Sequence, residues 1–408
     1  MAAPPDPTRP KPRIEHDGYL VMYAPDSGLD GLEALHFIAK RTYALRPDEM
    51  IVPIAQQRPL FTSDVYFEDA DPFESSLRFE SDLGPPKPGT DLIVNANCYA
   101  PGGNAIQCRP SVQVGQTRIE RLVVGNRVAF QRAGGRVQFT PAEPFSVLPL
   151  RYELAYGGVD RQQSLAPLVC ASNPLGTGYW VAPVDGEPAR DRWTVLPNIE
   201  FPDRVMTPDT LVVQNEKRQV WQAPAGFGPV PKHWEPRASR AGMPEGARGL
   251  WGLLHGKLDP KAEQFPVMRP EFWSCASPGL CLPHLDGHEK ITLRHMHRDR
   301  DDLVLRLPIE KPKLRVAIND AAMAPVTLTL DTVHIEVEAE EVMLSWRGTV
   351  KPGITNLDDL KRVLIEVDGQ LTLPAPLIGT GFPADLLTGE FPGPDVLNLK
   401  GIPRPGQG

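Results

Sequence analysis

The 408-residue sequence contains few cysteines and no long apolar segment. Five cysteines in a chain of this size do not suggest the disulfide framework of a small secreted domain, and their odd number leaves at least one thiol free. The longest uncharged run, Gln162–Val184, is interrupted by prolines and glycines that a lipid-buried helix would not carry. The first segment, Met1–Arg13, contains five prolines and no apolar stretch typical of a secretory signal. We therefore expect a cytoplasmic protein that does not bind membranes.

The chain also has fewer positively charged than negatively charged residues. The chain has 43 Lys and Arg against 51 Asp and Glu, which gives a formal net charge of -8. Over most of its surface, a protein of this charge is not attracted to nucleic-acid phosphates or to anionic lipid headgroups. The composition therefore argues against a nucleic-acid partner.

The sequence lacks the short motifs that accompany familiar catalytic sites. It has no Gly-x-Ser-x-Gly nucleophile motif, no His-Glu-x-x-His zinc motif and no dinucleotide-binding fingerprint. The segment most similar to a phosphate-binding loop, Gly252–Leu258, has one spacer residue too few and no Ser or Thr to bind magnesium. These absences predict a protein that is not an enzyme and that uses no cofactor.

Proline and glycine, by contrast, are abundant. The chain contains 46 Pro and 35 Gly, whereas average usage would give about 20 Pro in a chain of this length. Each proline removes a backbone donor and interrupts a helix, so this density favours short strands joined by turns. The composition predicts a mainly β fold of antiparallel sandwich-like or barrel-like units, with long Pro/Gly-rich loops and few short helices.

The length predicts more than one packed unit, because single hydrophobic cores rarely grow beyond about 300 residues. We expect a Pro-rich tail over residues 1–13, a loop-rich β domain over 14–284, a second β unit over 285–371 and a Pro/Gly-rich tail over 372–408. The boundary after residue 284 marks the return of clean alternation between apolar and polar residues.

Local patterns predict individual elements. Gly115-Gln116 is expected to separate strands at 112–114 and 122–124, and the turn at 133–135 is expected to form a hairpin before a strand at 137–139. A second hairpin is predicted around the turn at 339–341, with His334 and Glu336 on a face exposed to water. Two segments, Gly31–Lys40 and Asp358–Ile365, carry apolar residues at helical spacing and predict short helices.

Six potential metal ligands lie between residues 275 and 297. Four such ligands within about a dozen residues can enclose a tetrahedral zinc ion. Here, however, five residues including Pro278 and Gly279 separate the two cysteines, and arginines flank the last two histidines. This spacing favours a surface turn with incidental histidines, with a metal site as the alternative. The six residues are Cys275, Cys281, His284, His288, His295 and His297.

Two carboxylates lie beside apolar neighbours. Glu153 follows Tyr152, and Glu200 follows Ile199. A pair of acids can act in glycoside hydrolysis. Structural carboxylates that accept hydrogen bonds from loop amides explain the same placement equally well.

Short motifs rich in glycine and proline follow one another in a distinctive order. They are Lys87–Asp91, Tyr99–Gly103, Val124–Arg127, Pro149–Gly158, Asn173–Gly178, Leu196–Glu200, Pro224–Pro229 and Trp234–Arg237. This array resembles the bacterial family catalogued as domain of unknown function number 2169. The resemblance covers about Tyr19 to Pro308, in order and across many separate blocks.

The resemblance implies a cytoplasmic, non-enzymatic adaptor or chaperone of a type VI secretion system. Such a protein would bind a secreted effector protein and help to load it onto the secretion spike or its tip. The resemblance implies no catalytic residue. Two other functions remain open from the residues: a metal- or carboxylate-dependent β-sandwich enzyme, and a structural accessory component of the secretion apparatus.

The motifs supply candidate structural or interaction residues. Their glycines and Asn-Pro pair allow backbone conformations that other residues resist, and their charged side chains can join loops by charge-assisted hydrogen bonds. The favoured interpretation is that these residues maintain the fold, while contacts with the partner lie on less patterned surface. The candidates are Lys87, Asp91, Arg127, Arg151, Glu153, Gly157, Gly158, Asn173, Pro174, Glu200, Trp234 and Arg237.

Overall fold

The structure is a computed structural model of the chain. It describes residues 18–28, 31–69, 74–160, 168–180, 190–211, 224–240, 269–354 and 356–372. The predicted tail at 1–13, nearly all of the predicted tail at 372–408, and the segment Gly252–Leu258 lie outside the described residues.

The described residues form many strands, most of them short, as the proline content predicts. The mainly β fold predicted from the sequence is therefore confirmed. In chain order the strands are β1 (Leu20–Gly28), β2 (Gly31–Ala44), β3 (Val52–Pro53), β4 (Val65–Tyr66), β5 (Leu77–Phe79), β6 (Thr90–Asn95), β7 (Asn97–Tyr99), β8 (Gln107–Cys108), β9 (Ser111–Val114), β10 (Thr117–Glu120), β11 (Leu122–Val124), β12 (Val128–Gln131), β13 (Gln138–Phe139), β14 (Val147–Pro149), β15 (Tyr156–Gly157), β16 (Val159–Asp160), β17 (Leu168–Val169), β18 (Thr177–Gly178), β19 (Arg192–Val195), β20 (Ile199–Glu200), β21 (Cys281–Leu282), β22 (Lys290–His297), β23 (Arg300–Arg306), β24 (Leu314–Ile318), β25 (Ala324–Val326), β26 (Thr329–Glu336), β27 (Glu341–Val350), β28 (Val363–Val367) and β29 (Gln370–Thr372).

Helical segments in the described residues are short, in agreement with the sequence. The α-helical residues are 208–211 and Arg237–Arg240. No helix in this part of the chain is both long and apolar enough to span a membrane. Single turns of 3-10 helix lie at Phe67–Asp69, Pro101–Gly103, Tyr152–Leu154, Pro270–Trp273, Val337–Ala339 and Leu357–Asp359.

A central sheet with the order β1-β2-β27-β26-β6-β21, to which β3 adds beside β2, organises the fold. Its neighbours pair antiparallel except β26 and β6, which run parallel. The strands come from both sides of residue 284, where the sequence analysis divides two β units, so this sheet joins the two predicted units. A four-stranded sheet, β10-β9-β22-β23, contributes to the same hydrophobic core, for example through Val112 and Leu293.

The smaller sheets complete the described fold. A second four-stranded sheet has the order β25-β24-β28-β29, and two three-stranded sheets have the orders β20-β11-β8 and β13-β12-β19. The last of these lies over a second, smaller core that includes Ala129, Trp180 and Leu196. Two-stranded pairings join β14 to β7, β15 to β18, β16 to β17 and β4 to β5.

The helix predicted at Gly31–Lys40 is wrong, because these residues belong to β2. This strand pairs antiparallel with β1 on one side and with β27 on the other. Leu35 and Phe37 point into the main core, while Ile38 on the opposite face is also fully buried. A strand buried on both faces loses the alternation that identifies a strand in sequence.

The helix predicted at Asp358–Ile365 is also wrong. Its beginning forms the 3-10 turn Leu357–Asp359, and its end enters β28, which pairs with β24 and β29. Val363, Ile365 and Val367 are buried at the alternating spacing of a strand. The helical spacing of the preceding leucines was therefore a coincidence of sequence.

The hairpins predicted at 133–135 and at 339–341 form, and they join β12 to β13 and β26 to β27. Gly115 also lies in a turn, but this turn leads into β10, whereas the strand predicted at 122–124 is β11, which pairs with β20 and β8. Gly115 has a positive φ of 55° in the turn between β9 and β10, and Glu340 has a left-handed conformation in the turn between β26 and β27. The water-exposed face predicted for the second hairpin is wrong. His334 and Glu336 are buried, because the ring of Phe79 lies 5.0 Å from that of His334 and Arg78 pairs with Glu336.

Phe37 provides a direct test of the strand assignment. Its side chain is fully buried in the main core, 5.9 Å from the ring of Tyr23. We expect Phe37→Ala to lower the free energy of unfolding by about 3–5 kcal/mol, because the truncated side chain leaves a cavity. Chemical denaturation measures the change. The control Leu371→Ala, at a side chain that is 66% exposed, should cost no more than about 0.5 kcal/mol. Equal losses in the two variants would contradict this packing.

Candidate functional site

Eight charged side chains form a buried ionic network on the face of the central sheet opposite the main core. None of these side chains is more than 8% exposed. Buried charges are stable only when they are paired and hydrogen-bonded, and here four cations meet four carboxylates. The ionic network consists of Lys40, Lys87, Arg237 and Arg347 with Glu80, Asp82, Asp91 and Asp331.

Strand alternation places much of the network on this face. Along β27, Leu344 and Trp346 point into the main core, so Arg347 points to the opposite side. Lys40 on β2 and Asp91 on β6 follow the same rule, because their strand neighbours lie in the core. The loop between β5 and β6 and the helix Arg237–Arg240 add further members, and Asp331 comes from β26. The network therefore ties loops to the sheet.

Glu80 is the carboxylate that most cations approach. Arg237 donates a short hydrogen bond to Glu80 Oε1, and Lys87 Nζ lies 3.4 Å from Oε2. Lys232 Nζ adds a longer contact of 3.8 Å. Burial alone would raise the pKa of Glu80, but the charges of Arg237, Lys87 and Lys232 outweigh it and lower the pKa well below its ordinary value. Glu80 is therefore ionised in the folded protein at neutral pH.

Asp91 binds the loop that precedes β21. Its Oδ2 accepts hydrogen bonds from Lys87 Nζ at 2.7 Å and from the Cys275 amide at 2.8 Å, while Oδ1 accepts from Ser274 Oγ at 2.6 Å. Burial opposes the charged form of Lys87, but Asp91 and Glu80 raise its pKa above the usual value. Cys275 Sγ lies 3.6 Å from Lys87 Nζ, and burial raises the pKa of this thiol. Cys275 is thus a neutral, enclosed thiol.

Asp82 and Asp331 complete the network across β2, β26 and β27. Asp82 Oδ2 accepts hydrogen bonds from Lys40 Nζ at 2.8 Å and from the Phe61 amide at 2.7 Å. Arg347 donates to Asp331 Oδ1 at 2.5 Å and to the Asp82 carbonyl at 2.9 Å. These bonds join the segment before β6 to three strands of the central sheet.

A small cavity of about 20 Å³ lies within the network. Charged side chains of the network line it, together with Cys275 and His334. A buried water needs roughly 10–15 Å³, so this cavity has room for one water molecule and not for a substrate.

Lys87, Asp91 and Arg237 are the predicted candidates that belong to the network. Arg237 also donates to the Phe272 carbonyl and to the Val230 carbonyl, each at 2.7 Å. Trp234, another candidate, is 1% exposed and packs edge-on against Tyr152 with ring centres 5.6 Å apart. Arg237 therefore bonds the loop at 224–240 to Glu80 of the network and to the segment that contains Phe272.

The other charged candidates make separate pairs away from the network. Arg127 donates a short hydrogen bond to Glu200, whose second oxygen accepts from the Met206 amide at 2.7 Å. Burial raises the pKa of Glu200, against the opposing charge of Arg127. Glu153 accepts from the Ser76 amide at 2.8 Å. Arg151 pairs at 2.8 Å with Glu68, which is largely exposed.

Gly157, Gly158, Asn173 and Pro174 form a tight crossing of two chain segments. The Gly158 amide donates to the Asn173 carbonyl at 2.8 Å, and Asn173 Nδ2 donates to the carbonyls of Tyr152 at 2.8 Å and Tyr156 at 3.1 Å. A Cβ atom at Gly157 would lie 2.1 Å from the Asn173 carbonyl oxygen. Pro174 is half-buried in the turn that follows. Glycine is required here because the backbones touch.

The structure does not assemble the candidate metal ligands into a site. Cys275 contacts Lys87, Cys281 is exposed on β21, and His284 Nδ1 lies 3.4 Å from the Leu330 carbonyl. His288 has a positive φ of 67° in a separate turn. No group of three or more His, Cys, Asp and Glu side chains with metal-binding geometry occurs in the described part of the chain.

Five members of the network are not among the residues predicted from the sequence. They were hidden because most of their partners lie far away along the chain, as with Lys40 and Asp82. The available signal was a single charged residue within an apolar strand, such as Arg347 after Leu344-Ser345-Trp346. Such a residue is buried only with a partner. The five are Lys40, Glu80, Asp82, Asp331 and Arg347.

Comparison with known families identifies the class of protein. A family model described as an uncharacterized protein conserved in bacteria (DUF2169) matches residues 30–347, which is well over half of the chain. The chain therefore belongs to this family. The matched region contains the whole ionic network and the motif array. Neither the curated proteins nor the solved structures yielded a match.

The pKa shift of Glu80 predicts a pH-dependent contribution to stability. Because its folded-state pKa is lowered, ionised Glu80 stabilises the fold above the pKa of an ordinary glutamate, and this contribution is lost as the pH falls below it. We expect Glu80→Gln to cost about 3–5 kcal/mol at pH 7, because it leaves Arg237 unpaired. The difference from the wild type should shrink below about pH 4.

Denaturation of both proteins between pH 7 and pH 3 measures this difference. The control Glu143→Gln, at an exposed residue, should have little effect at any pH. A difference between Glu80→Gln and the wild type that stays constant with pH would show that Glu80 is not the charged centre of the network.

The close approach of the Gly158 backbone to Gly176 predicts that a larger residue at position 158 destabilises the fold. Gly158 has a φ of 96°, and an added Cβ atom would lie 2.2 Å from the Gly176 carbonyl oxygen. Gly134 also has a positive φ, of 72°, but no atom lies within 4 Å of its added Cβ. Gly158→Ala should cost about 2–5 kcal/mol from strain and clash together, and Gly134→Ala only about 1 kcal/mol from strain. Thermal unfolding compares them, and equal costs would rule out the close crossing.

Proposed function

We propose that this protein is a non-enzymatic adaptor or chaperone that binds a type VI secretion effector and helps to load it onto the secretion spike. The proposal rests on two supports. One is the motif array, whose resemblance implies this role. The other is the use that the fold makes of the motif residues. Under this proposal the protein acts in the cytoplasm, before the effector is secreted.

The observation that carries the proposal is the burial of the charged motif residues. Within the ionic network, Lys87 donates a hydrogen bond to Asp91, and Arg237 donates one to Glu80. Lys87, Asp91 and Arg237 are each at most 6% exposed. A catalytic acid, base or ligand-binding group has to come within hydrogen-bond reach of its substrate. Residues enclosed in this way stabilise a scaffold. Under this proposal, the partner is recognised by surface residues.

The size of the cavity supports the same conclusion. Small-molecule pockets are clefts of about 300–1,000 Å³, far larger than the one-water cavity within the network. The carboxylates of Glu153 and Glu200 are also bonded within the fold, since both accept hydrogen bonds from backbone amides. The cavity within the network therefore has no room for a small substrate.

Deletion of the gene in its native bacterium tests the role. We expect the effector encoded nearby to be lost from the culture medium, while another protein secreted by the same apparatus is still released. The wild-type gene should restore secretion, and the two purified proteins should elute together in size-exclusion chromatography. Quantitative mass spectrometry of the medium and of the cells measures both effector secretion and effector stability.

Normal effector level and normal secretion in the deletion strain would overturn the proposal. Analysis of assembled secretion particles sheared from the cells distinguishes a structural component of the apparatus from an adaptor. Stoichiometric presence of the protein in those particles, with release of every secreted protein lost on deletion, would favour a structural role over that of an adaptor.

A further inference from the structure

Strand β19 presents its side chains in the reverse of the usual order. Arg192 points inward and is buried, whereas Trp193 is 63% exposed and Val195 is 42% exposed. In an antiparallel sheet with one face on a core, apolar residues normally point inward and charged ones outward. This strand therefore carries an exposed apolar surface that the packing of its own sheet does not require.

The inward position of Arg192 is fixed by specific contacts. Its Nη2 lies 2.9 Å from Asp160 Oδ2, and both side chains are at most 4% exposed. Its guanidinium also lies 4.7 Å from the ring centre of Trp180 in the smaller core. A shift of β19 by one residue would bury Trp193 and expose Arg192. The buried ion pair holds the register that keeps Trp193 outside.

Strand β12 extends the apolar surface. Phe130 pairs directly with Trp193, and Val128 pairs directly with Val195, so all four side chains share one face of the sheet. Phe130 and Val128 are half-buried. We call these four residues the Trp193 face. Exposed apolar groups that are contiguous, and include tryptophan, are typical of protein-binding surfaces.

Positive charge lies at one end of the Trp193 face. Arg132, two residues beyond Phe130, and Arg136 flank the turn between β12 and β13, and both are exposed. Neither makes an ion pair with any described residue. The nearby carboxylate of Asp191 accepts a hydrogen bond from the Ala133 amide at 2.9 Å. In a chain of net charge -8, a pair of exposed arginines beside a tryptophan is complementary to an acidic partner.

We propose that the Trp193 face is the docking surface for an acidic segment of the secreted effector, whose apolar side chains cover Trp193 and Val195 while its carboxylates meet Arg132 and Arg136. This inference rests on the proposed function and names the surface that performs it. The rigid network holds the fold, and the Trp193 face contacts the partner. Tryptophan and arginine are the residues that most often dominate binding at such surfaces.

The test uses the full-length protein and synthetic 15-residue peptides that tile the effector encoded beside the gene. The variants are Trp193→Ala and the double variant Arg132→Glu/Arg136→Glu. The control is Ile106→Ala, a side chain that is 56% exposed on another part of the surface. Equal unfolding midpoints for all four proteins establish that each variant is folded. Fluorescence anisotropy measures the dissociation constants at low and high salt.

We expect at least one acidic peptide to bind the wild type and the control equally, and each site variant at least tenfold more weakly. Added salt should weaken binding to the wild type more than binding to the double variant. Absence of any binding peptide, or equal binding by Trp193→Ala, would overturn the inference. So would a dimer in the wild type that Trp193→Ala converts to a monomer, because a second copy would then be the occupant.

Binding of the intact effector separates this inference from the proposed function. If the intact effector binds the wild type and both site variants equally, the adaptor role stands and the Trp193 face is not its docking surface. If the intact effector binds none of the proteins, the adaptor role itself fails and the inference fails with it.

Discussion

The pairing of Glu80 with Arg237 and Lys87 is the interaction on which the rest of the structure depends. It joins the beginning and the end of the loop between β5 and β6 to the segment at 224–240, which contains the short helix Arg237–Arg240. In the interior, each charge is tolerated only because its partners are present. The loss of one member therefore destabilises the others, and the network acts as a unit that fixes both segments on the sheet.

Carboxylates of this protein also provide hydrogen-bond acceptors for backbone amides in the loops. Long loops carry amide groups that no neighbouring strand can satisfy, and a buried amide without a partner is costly. Asp91 accepts from the Cys275 amide, Asp82 from the Phe61 amide and Glu153 from the Ser76 amide. A chain rich in proline and glycine is thus ordered by side chains where regular strands end. This explains why the charged motif residues are enclosed.

Much of the local structure follows from the sequence, whereas most of the long-range pairing does not. Proline and glycine content predicts the mainly β fold, and turn residues such as Gly134 predict hairpins, because these depend on backbone preferences within a few residues. The error at Gly31–Lys40 arose because burial on both faces removes the alternating pattern. The network was found only in part: Lys87 and Asp91 lie four residues apart, while Arg347 and Asp331 meet through strand pairing that the sequence does not reveal. The inward position of Arg192 was likewise invisible, since it depends on Asp160 across the fold.

Native-state hydrogen exchange of the loop amides tests most directly whether the network and its companion carboxylates make the loops rigid. The amides of Cys275, Phe61 and Ser76, each bonded to a carboxylate, should exchange only through global unfolding, as slowly as the amide of Val94 in the core strand β6. The Gly135 amide in the exposed turn after β12 should exchange much faster. Exchange of the three loop amides by local opening, well ahead of Val94, would contradict the account.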